Sequence, residues 1–262
     1  MFNEEEKKLN KEFTEKGFII KPSQNKNALI EIKNNLVNQI KKFLNISRKV
    51  NSDNLLNNIH KEISVNKLNN MRLHLIENLN LSSKNKKLYF ESSKKFIEIL
   101  VGNELAMQKK ISLSIQFPKD DSSLLPVHSD TWSGLSPFEV VVWIPLVDCF
   151  KTKAMFILPP KHTNNLSKNF KNFSKGSTED IFKKISKKIK WVDIKFGEIL
   201  IFNQHLPHGN RVNNERETRW SMNCRFKSIF SPYADKKIGE FYEPITLRAA
   251  SKLGMNYKFP KI

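Results

Sequence analysis

LPVHSDTWSGLSPFEVVVWIPL, residues 125–146, places a His-x-Asp pair, His128 and Asp130, ahead of an apolar run that reads as a buried strand. Two residues apart in an extended chain, both side chains leave the same face and can converge on one point. An imidazole and a carboxylate that converge are candidate ligands for a metal ion. Short matches of this kind are common by chance, and a surface turn explains an isolated pair equally well. The pair therefore predicts a metal site only if a third ligand follows.

The sequence just before this pair has a period of two. In ISLSIQF, residues 111–117, apolar side chains alternate with Ser112, Ser114 and Gln116, which predicts a strand with one apolar and one polar face. Many short strands after a helical block favour an antiparallel sandwich or jelly roll with helices packed outside, and the predicted fold class is α+β. Further strands are predicted at Glu139–Leu146, Ala154–Leu158, Trp191–Ile194, Glu198–Phe202 and Thr218–Phe226.

The first hundred residues have the period of amphipathic helices instead. The stretch KKLYFESSKKFIEILVG, residues 86–102, is predicted as one helix that ends at Gly102. Earlier apolar residues at helical spacing are Leu29, Ile32, Leu36, Ile40, Phe43 and Leu44, followed by Val65, Leu68, Leu75 and Leu79.

We predict a single domain over residues 1–262, with a helical layer (1–105), a jelly-roll core (106–230) and a C-terminal extension (231–262). A polar stretch at 161–190 interrupts the core and contains a predicted helix, TEDIFKKISKKI, after Ser177 or Thr178. This insertion is either a lid or a surface excursion. The aromatic and charged tail either closes the pocket or forms a contact in a homodimer, and composition does not separate these roles.

The formal net charge of +19 invites a nucleic-acid interpretation, because a basic surface attracts phosphates. The lysines are scattered among asparagines along the chain without an RNA-binding or zinc-finger motif, so we expect no specific nucleic-acid partner. Cys149 and Cys224 lie far apart and form no Cys-x-x-Cys motif, and the charged N-terminus has no signal-peptide pattern. We therefore expect a cytoplasmic protein. The longest apolar run is too short for a membrane helix.

A third ligand is available in FGEILIFNQHLPHGNRVNNERETRWSMNCRF, residues 196–226, which contains His205 and His208 between two predicted strands. In the second of these strands the alternation separates an apolar face from a polar one. Four polar groups in register are costly to bury for structure alone, so this face is predicted to be the wall of a polar pocket. The polar face consists of Arg219, Ser221, Asn223 and Arg225.

Two histidines and one carboxylate form a facial triad that leaves neighbouring positions on Fe(II) for a 2-oxo acid and O2. Arg219 in the same pocket can pair with the far carboxylate of 2-oxoglutarate, and Ser221, two residues along the strand, can add a hydrogen bond. Gln116, on the polar face of an earlier strand, is a further candidate for cofactor binding.

The residues assembled in this way resemble the Fe(II)/2-oxoglutarate-dependent oxygenases, and most closely the phytanoyl-CoA dioxygenase-like branch. The likeness extends from about residue 13 to 226 and is strongest in HSD, in WIPLVDCFKTKAMFILPPKH and in GEILIFNQHLPHG followed by TRWS. It implies a double-stranded β-helix, the jelly-roll or cupin-like core. In that branch the second histidine lies eleven residues after the glycine of a G-D/E-x-x-x-F strand, which selects His208 over His205, and the arginine that follows corresponds to Arg219.

The back half of the chain is more narrowly similar to the 2-oxoglutarate oxygenases of sporadically distributed bacterial carbohydrate gene clusters. That resemblance implies Fe(II), 2-oxoglutarate and O2 as cofactor and cosubstrates, and hydroxylation of a sugar-derived small molecule in surface carbohydrate biosynthesis. Two interpretations remain for His205: it holds a metal ligand or the substrate in place, or it is an exposed loop histidine. The candidate substrate residues are Trp132, Trp143, Asn203, Asn210, Arg211, Asn223 and Arg225.

Other functions use the same residues differently. A cupin-like metal-dependent sugar isomerase or epimerase would need no O2, and Arg219 would then bind substrate. A hydroxylase of another small molecule would keep the metal chemistry and change the pocket wall. A metal-free binding protein for nucleic acid or polysaccharide would use the positive surface, and its histidines would be replaceable.

Overall fold

The structure, a computed structural model, describes residues 2–173 and 175–260. Helices dominate its first hundred residues and antiparallel strands the following part, so the predicted α+β class is confirmed. The N-terminal elements are α1 (Glu4–Lys16), β1 (Phe18–Pro22), α2 (Lys26–Phe43), α3 (Ser52–Asn58), α4 (Val65–Leu81), α5 (Ser83–Glu91) and α6 (Lys94–Leu100). The later elements are β2 (Leu105–Gln108), β3 (Ser112–Gln116), β4 (Glu139–Pro145), β5 (Phe156–Ile157), α7 (Pro160–Lys168), α8 (Phe170–Phe173), α9 (Thr178–Ile185), β6 (Lys190–Trp191), β7 (Glu198–Asn203), β8 (His208–Gly209), β9 (Arg219–Ser228), β10 (Tyr242–Thr246) and α10 (Ala249–Asn256).

Helices α2 and α4 confirm the apolar periodicity of the N-terminal sequence. In α2, Leu29, Ile32 and Ile40 are fully buried, and the side chain of Asn25 caps the helix by accepting from the backbone N–H of Ala28 at 3.0 Å. The apolar face of α4 is buried against the same core. None of the helices within residues 2–173 and 175–260 combines the length and apolar character that a membrane crossing requires.

The prediction of one helix over residues 86–102 is wrong. The segment forms two helices, α5 and α6, which are separated by the non-helical residues Ser92 and Ser93. The hydroxyl of Ser92 donates to the carbonyl of Tyr89 at 2.6 Å. The carbonyl of Ser92 accepts from the hydroxyl of Ser23 at 3.0 Å and from the backbone N–H of Gln24 at 3.1 Å. Serine hydroxyls compete for helical backbone groups in this way, and the competition ends α5.

The larger sheet is antiparallel and has the order β1-β7-β4-β9-β2-β10, with β3 also paired to β9. The smaller sheet has the order β6-β5-β8. Strand β9 pairs with β2, β3 and β4, so it lies at the centre of the strand region. Two edge strands were not predicted. Strand β1 lies inside the expected helical layer, and β10 comes from the expected C-terminal extension.

The two faces of the larger sheet pack against different partners. Along β4, Val140, Val142 and Ile144 join the core that the N-terminal helices cover. The intervening Val141 and Trp143 face a second core shared with the smaller sheet. Neighbouring residues of a strand point to opposite faces, so one strand contributes to both layers. The candidate site lies on the second of these faces.

The inserted segment at 161–190 packs on the smaller sheet through its helices. Ser177 caps α9 by accepting from the backbone N–H of Asp180 at 3.2 Å, and Asp180 accepts in return from the backbone of Ser177, which confirms the predicted helix start. Ile181 and Ile185 of α9 are buried in a small core with Phe156 of β5. The insertion therefore covers the outer side of the smaller sheet.

Candidate metal centre and adjoining cavity

The structure brings the three predicted ligands, His128, Asp130 and His208, together. His128 and His208 exchange both of their backbone hydrogen bonds, at 3.0 and 2.8 Å, and the N–H of Asp130 donates to the carbonyl of Gln204 at 3.1 Å. One side-chain ligand atom from each of the three residues lies within 4.8 Å of the other two. Two imidazoles and one carboxylate converging on one point form a donor set that suits a divalent transition metal.

Local hydrogen bonds orient both imidazole rings toward that point. Nδ1 of His128 lies 2.8 Å from the carbonyl oxygen of Pro126, and Nδ1 of His208 lies 2.8 Å from that of Leu206. Because a carbonyl oxygen only accepts, each Nδ1 carries the proton, and each Nε2 keeps a lone pair for a metal. Burial, reinforced by the neighbouring His128, lowers the pKa of His208 to about 4. His208 is therefore neutral at neutral pH, as metal binding requires.

Arg225 holds the carboxylate of Asp130 in a two-point contact. Its Nε donates to Oδ2 at 3.2 Å and its Nη2 to Oδ1 at 2.8 Å, while Nη1 donates to Oε1 of Gln108 at 2.9 Å. Burial alone would raise the pKa of Asp130, but Arg225 and the two histidines outweigh that effect, and the pKa lies below its usual value. Asp130 is therefore ionised at neutral pH, and its oxygens keep further lone pairs for a metal.

A buried network links Asp130 to the edge of the sheet. Gln204, whose carbonyl accepts from the N–H of Asp130, donates its side-chain amide to Oε2 of Glu139 at 2.8 Å. The hydroxyl of Tyr242 in β10 donates to the same carboxylate oxygen. Strand β10 also pairs with β2, which carries Gln108. The edge strand therefore supports both the backbone and the side chain of Asp130.

A cavity of about 500 Å³ adjoins the three candidate ligands. Its volume lies within the range of small-molecule sites. One part of the wall is apolar and is formed by Val141, Trp143, Met155 and Phe202. The polar and charged part includes Arg72, Ser112, Ser114, Ser122, Ser123, Asn210, Arg219, Asn223 and Arg225.

Arg219 is a buried cation without an anionic partner. It is 2% exposed, and no carboxylate within the described residues lies within 4 Å of its guanidinium, whose Nη2 donates to the hydroxyl of Ser114 at 2.8 Å. Burial lowers the pKa of Arg219 to about 10, so the group stays charged at neutral pH. A buried charge without a counterion is costly, and this side chain lines the cavity. The arrangement calls for an anionic ligand.

Unpaired polar atoms cluster around this arginine. Nε of Arg219, the hydroxyl oxygen of Ser221 and Oε1 of Gln116 are buried and have no hydrogen-bond partner within the described residues. Gln116 is paired with Arg219 in the sheet register, and Ser221 follows two residues later on β9. Buried polar groups are normally satisfied. This cluster therefore marks a position at which a polar ligand completes the structure.

Several predicted substrate residues line the cavity. Trp143, Asn223 and Arg225 do so, and Asn210 lines it as well. The side-chain oxygen of Asn210 accepts from the backbone N–H of Leu125 at 2.6 Å, so this residue also holds the loop at the outer wall. The amide of Asn223 has no recorded partner within the described residues and is free to meet a ligand.

Other predicted substrate residues have structural contacts outside the cavity wall. The Trp132 ring packs against Phe170 at a centroid distance of 4.9 Å. Arg211 pairs with Glu179 of α9, with Nη1 2.5 Å from Oε2, and so fastens the insertion. Asn203 accepts from the backbone N–H of His205 at 2.9 Å and stabilises the turn that leads to β8.

The sequence interpretation missed Arg72 and Gln108. Arg72 lies on α4 and lines the cavity, although α4 was predicted only as a packing helix. Nothing in an amphipathic pattern distinguishes an arginine that faces a cavity from one that faces solvent. Gln108 ends the unpredicted strand β2, and only the register of the sheet places it beside Arg225.

Comparison with protein-family models gives no match, and comparison with curated proteins gives none either. Solved structures match most of the chain. The nickel complex of ThoJ, a non-heme monooxygenase, is 13% identical with a TM-score of 0.58, and the match covers 93% of this chain and 85% of that chain. EctD from S. alaskensis in its apo form is 13% identical with a TM-score of 0.55, covering 86% of this chain and 78% of that chain.

HygX from Streptomyces hygroscopicus, solved with nickel and 2-oxoglutarate bound, is 11% identical with a TM-score of 0.51. That match covers 91% of each chain. At such low identities, these likenesses show that the chain shares the overall fold of these proteins.

Proposed function

We propose that the chain is an Fe(II)- and 2-oxoglutarate-dependent oxygenase, with His128, Asp130 and His208 as the iron ligands. The observation that carries the proposal is the buried, unpaired guanidinium of Arg219 in the same cavity as the triad. A metal site alone would suit many enzymes, whereas a metal site beside an unpaired cation suits a ligand that chelates the metal and ends in a carboxylate. HygX was solved with nickel and 2-oxoglutarate, which supports the same choice.

The residues present fit these groups. Both histidines are oriented with Nε2 free, and Asp130 is ionised and held by Arg225. Arg219 and the hydroxyl of Ser221 would bind the far carboxylate of 2-oxoglutarate, because each has a buried proton donor without an acceptor among the described residues. Oε1 of Gln116 is an acceptor and would accept a hydrogen bond from water rather than contact a carboxylate.

When bound, iron and 2-oxoglutarate supply the activation of O2 and the oxidising power, which no side chain provides. The protein residues would orient the target C–H bond and exclude water. Trp143, Met155 and Phe202 form the apolar wall that limits solvent near the triad. Asn210 and Asn223 form a polar wall suited to a hydroxylated substrate.

The proposed reaction is hydroxylation of a small, sugar-derived molecule. Hydroxyl and amide groups on the cavity wall support a polyhydroxylated substrate, and the cavity volume of about 500 Å³ supports a small one. We also propose that the larger and smaller sheets form one double-stranded β-helix, within a single domain that includes the helical layer and β10.

The test is an anaerobic titration of the metal-free protein with Fe(II) and 2-oxoglutarate, followed by the visible charge-transfer band of the chelate. We expect a band that saturates for the wild type. In Asp130→Ala we expect iron affinity to fall by more than the roughly 10–100-fold that loss of a supporting partner costs, because a ligand itself is removed. Asp121→Ala is the matched control, since this carboxylate is exposed and lies outside the cavity wall.

A wild-type protein that binds iron but gives no band with 2-oxoglutarate would contradict the proposal. That result would favour a metal-dependent sugar isomerase or epimerase on the same scaffold. Equal bands for wild type and Asp130→Ala would contradict the ligand assignment instead.

A further inference from the structure

Arg72 is the charged residue, among the described lining residues, for which iron and 2-oxoglutarate provide no role. It lies on α4 and is only partly buried, and no carboxylate within the described part of the chain lies within 4 Å of it. Its Nη2 donates to the side-chain oxygen of Asn69, one turn earlier, at 2.6 Å. This bond fixes one edge of the guanidinium and leaves its other donors available.

The helix that carries Arg72 is anchored to the sheet. Asn80 lies about two turns later on α4. Its side chain accepts from the backbone N–H of Ile111 at 2.7 Å and donates to the carbonyl of Ile111 at 3.0 Å. Ile111 directly precedes β3, whose Ser112 lines the cavity together with Arg72 and Ile76. These bonds anchor α4, the helix that carries Arg72, to the start of β3.

The charges of the cavity do not balance. Three guanidinium groups, those of Arg72, Arg219 and Arg225, line it, and among the described lining residues only Asp130 carries a carboxylate. This leaves an excess of two positive charges. A divalent metal and doubly charged 2-oxoglutarate cancel each other, so filling the proposed cofactor site leaves the excess unchanged. By local contacts, Arg225 pairs with Asp130 and Arg219 would meet the far carboxylate of 2-oxoglutarate, so Arg72 is the guanidinium that has no anion beside it among the described lining residues.

The cavity wall that includes Arg72 offers hydrogen-bond donors as well as charge. Asn223 is paired with Ser112 in the sheet register, four residues beyond Arg219 on β9. At about 3.3 Å per residue, the Cα atoms of Arg219 and Asn223 are about 13 Å apart, so Asn223 lies beyond the direct reach of the Arg219 side of the cavity. An oxyanion of a carboxylate or phosphate is the group that a guanidinium and an amide bind together.

We propose that the substrate carries an anionic carboxylate or phosphate group, and that Arg72 binds this group at the outer wall of the cavity. The proposal rests on the proposed function and deepens it by defining the charge of the substrate. A neutral sugar would leave Arg72 without a partner, whereas an acidic or phosphorylated sugar derivative would use both the charge and the polar wall.

The test is calorimetric titration of the full chain at low ionic strength with inorganic phosphate and, separately, with acetate and with 2-oxoglutarate plus Fe(II). We expect Arg72→Gln to weaken binding of the preferred small anion on the order of tenfold, because one charge-assisted contact is lost, and to leave 2-oxoglutarate binding unchanged. Arg72→Lys should retain most of the affinity. The matched control is Arg216→Gln, which removes the same charge from an exposed residue outside the cavity wall.

Tighter binding of phosphate than of acetate, lost in Arg72→Gln, would identify a phosphorylated substrate, and the reverse order would identify a carboxylate. The proposal is overturned if neither anion binds the wild type, or if Arg72→Gln binds them as tightly as Arg216→Gln. Failure of the proposed function is distinct, because it appears as absence of 2-oxoglutarate binding in the wild type.

Discussion

The two faces of strand β9 differ in whether other residues of the protein satisfy all of their side chains. On one face, Trp220, Met222, Cys224 and Phe226 are fully buried in the core covered by the N-terminal helices. On the other face, Arg219 is equally inaccessible but lacks a counterion within the described residues. The apolar face is completed by packing, whereas the polar face has buried groups, Nε of Arg219 and the hydroxyl of Ser221, without a hydrogen-bond partner among the described residues.

Within the ten residues of β9, one face should therefore determine the free energy of unfolding and the other the affinity for a ligand. A side chain that packs contributes to the free energy of unfolding in the absence of any ligand. A buried cation without a partner lowers that free energy until an anion binds. Substitutions on the two faces should therefore affect different measurements.

The largest effect is expected for Trp220→Ala on the apolar face. Trp220 is fully buried, and its indole N–H donates to the carbonyl of Leu56 at 2.8 Å. We expect the free energy of unfolding to fall by about 3–5 kcal/mol, because a large cavity forms. Urea denaturation measures it, and Trp220→Phe should cost less. A loss below about 1 kcal/mol would show that this face is not the main packing surface.

Arg219→Met on the polar face should have a smaller effect, and this effect should be on ligand affinity rather than on stability. We expect the free energy of unfolding without ligand to be unchanged or increased, because replacing buried charges by apolar groups is often neutral or stabilising. The affinity for 2-oxoglutarate should fall roughly 100-fold, since contacts to a charged group contribute about 1.5–3 kcal/mol. Calorimetry of the iron-loaded protein measures this. A strong loss of stability with unchanged affinity would reverse the comparison.

Ser221→Ala should have the smallest effect. Its hydroxyl has no hydrogen-bond partner among the described residues, so removing it should leave the free energy of unfolding nearly unchanged. The affinity for 2-oxoglutarate should fall about fivefold, corresponding to about 1 kcal/mol for one hydrogen bond. Ser112→Ala is the control, because this serine lies on the cavity wall away from Arg219. Equal affinity in both variants would remove Ser221 from the proposed cosubstrate site.

The parts that sequence predicts well are those with a strong local period. The alternation along β9 correctly separated its packed face from its cavity face, because strand geometry fixes which side chains share a side. The convergence of His128, Asp130 and His208 was also predicted, although the choice of His208 over His205 depended on family resemblance. Capping residues correctly placed the start of α9.

The parts that were missed depend on contacts between distant segments. Strands β1 and β10 are short edge strands that exist because β7 and β2 offer open backbone groups. The break between α5 and α6 depends on Ser23, far away in the sequence. Arg211 was a candidate for substrate contact, but Glu179 of the insertion pairs with it. No local pattern encodes such pairings.

The support that β10 gives to Asp130 has a consequence for how the protein is made. Translation proceeds from the N-terminus and domains form as their residues emerge. Strand β10, which includes Tyr242 and pairs with β2, leaves the ribosome after the three candidate metal ligands have emerged. The carboxylate of Asp130 therefore reaches its final setting only after β10 has joined the sheet. A nascent chain would therefore present His128, Asp130 and His208 early but fix the carboxylate of Asp130 late, after the surrounding sheet is complete.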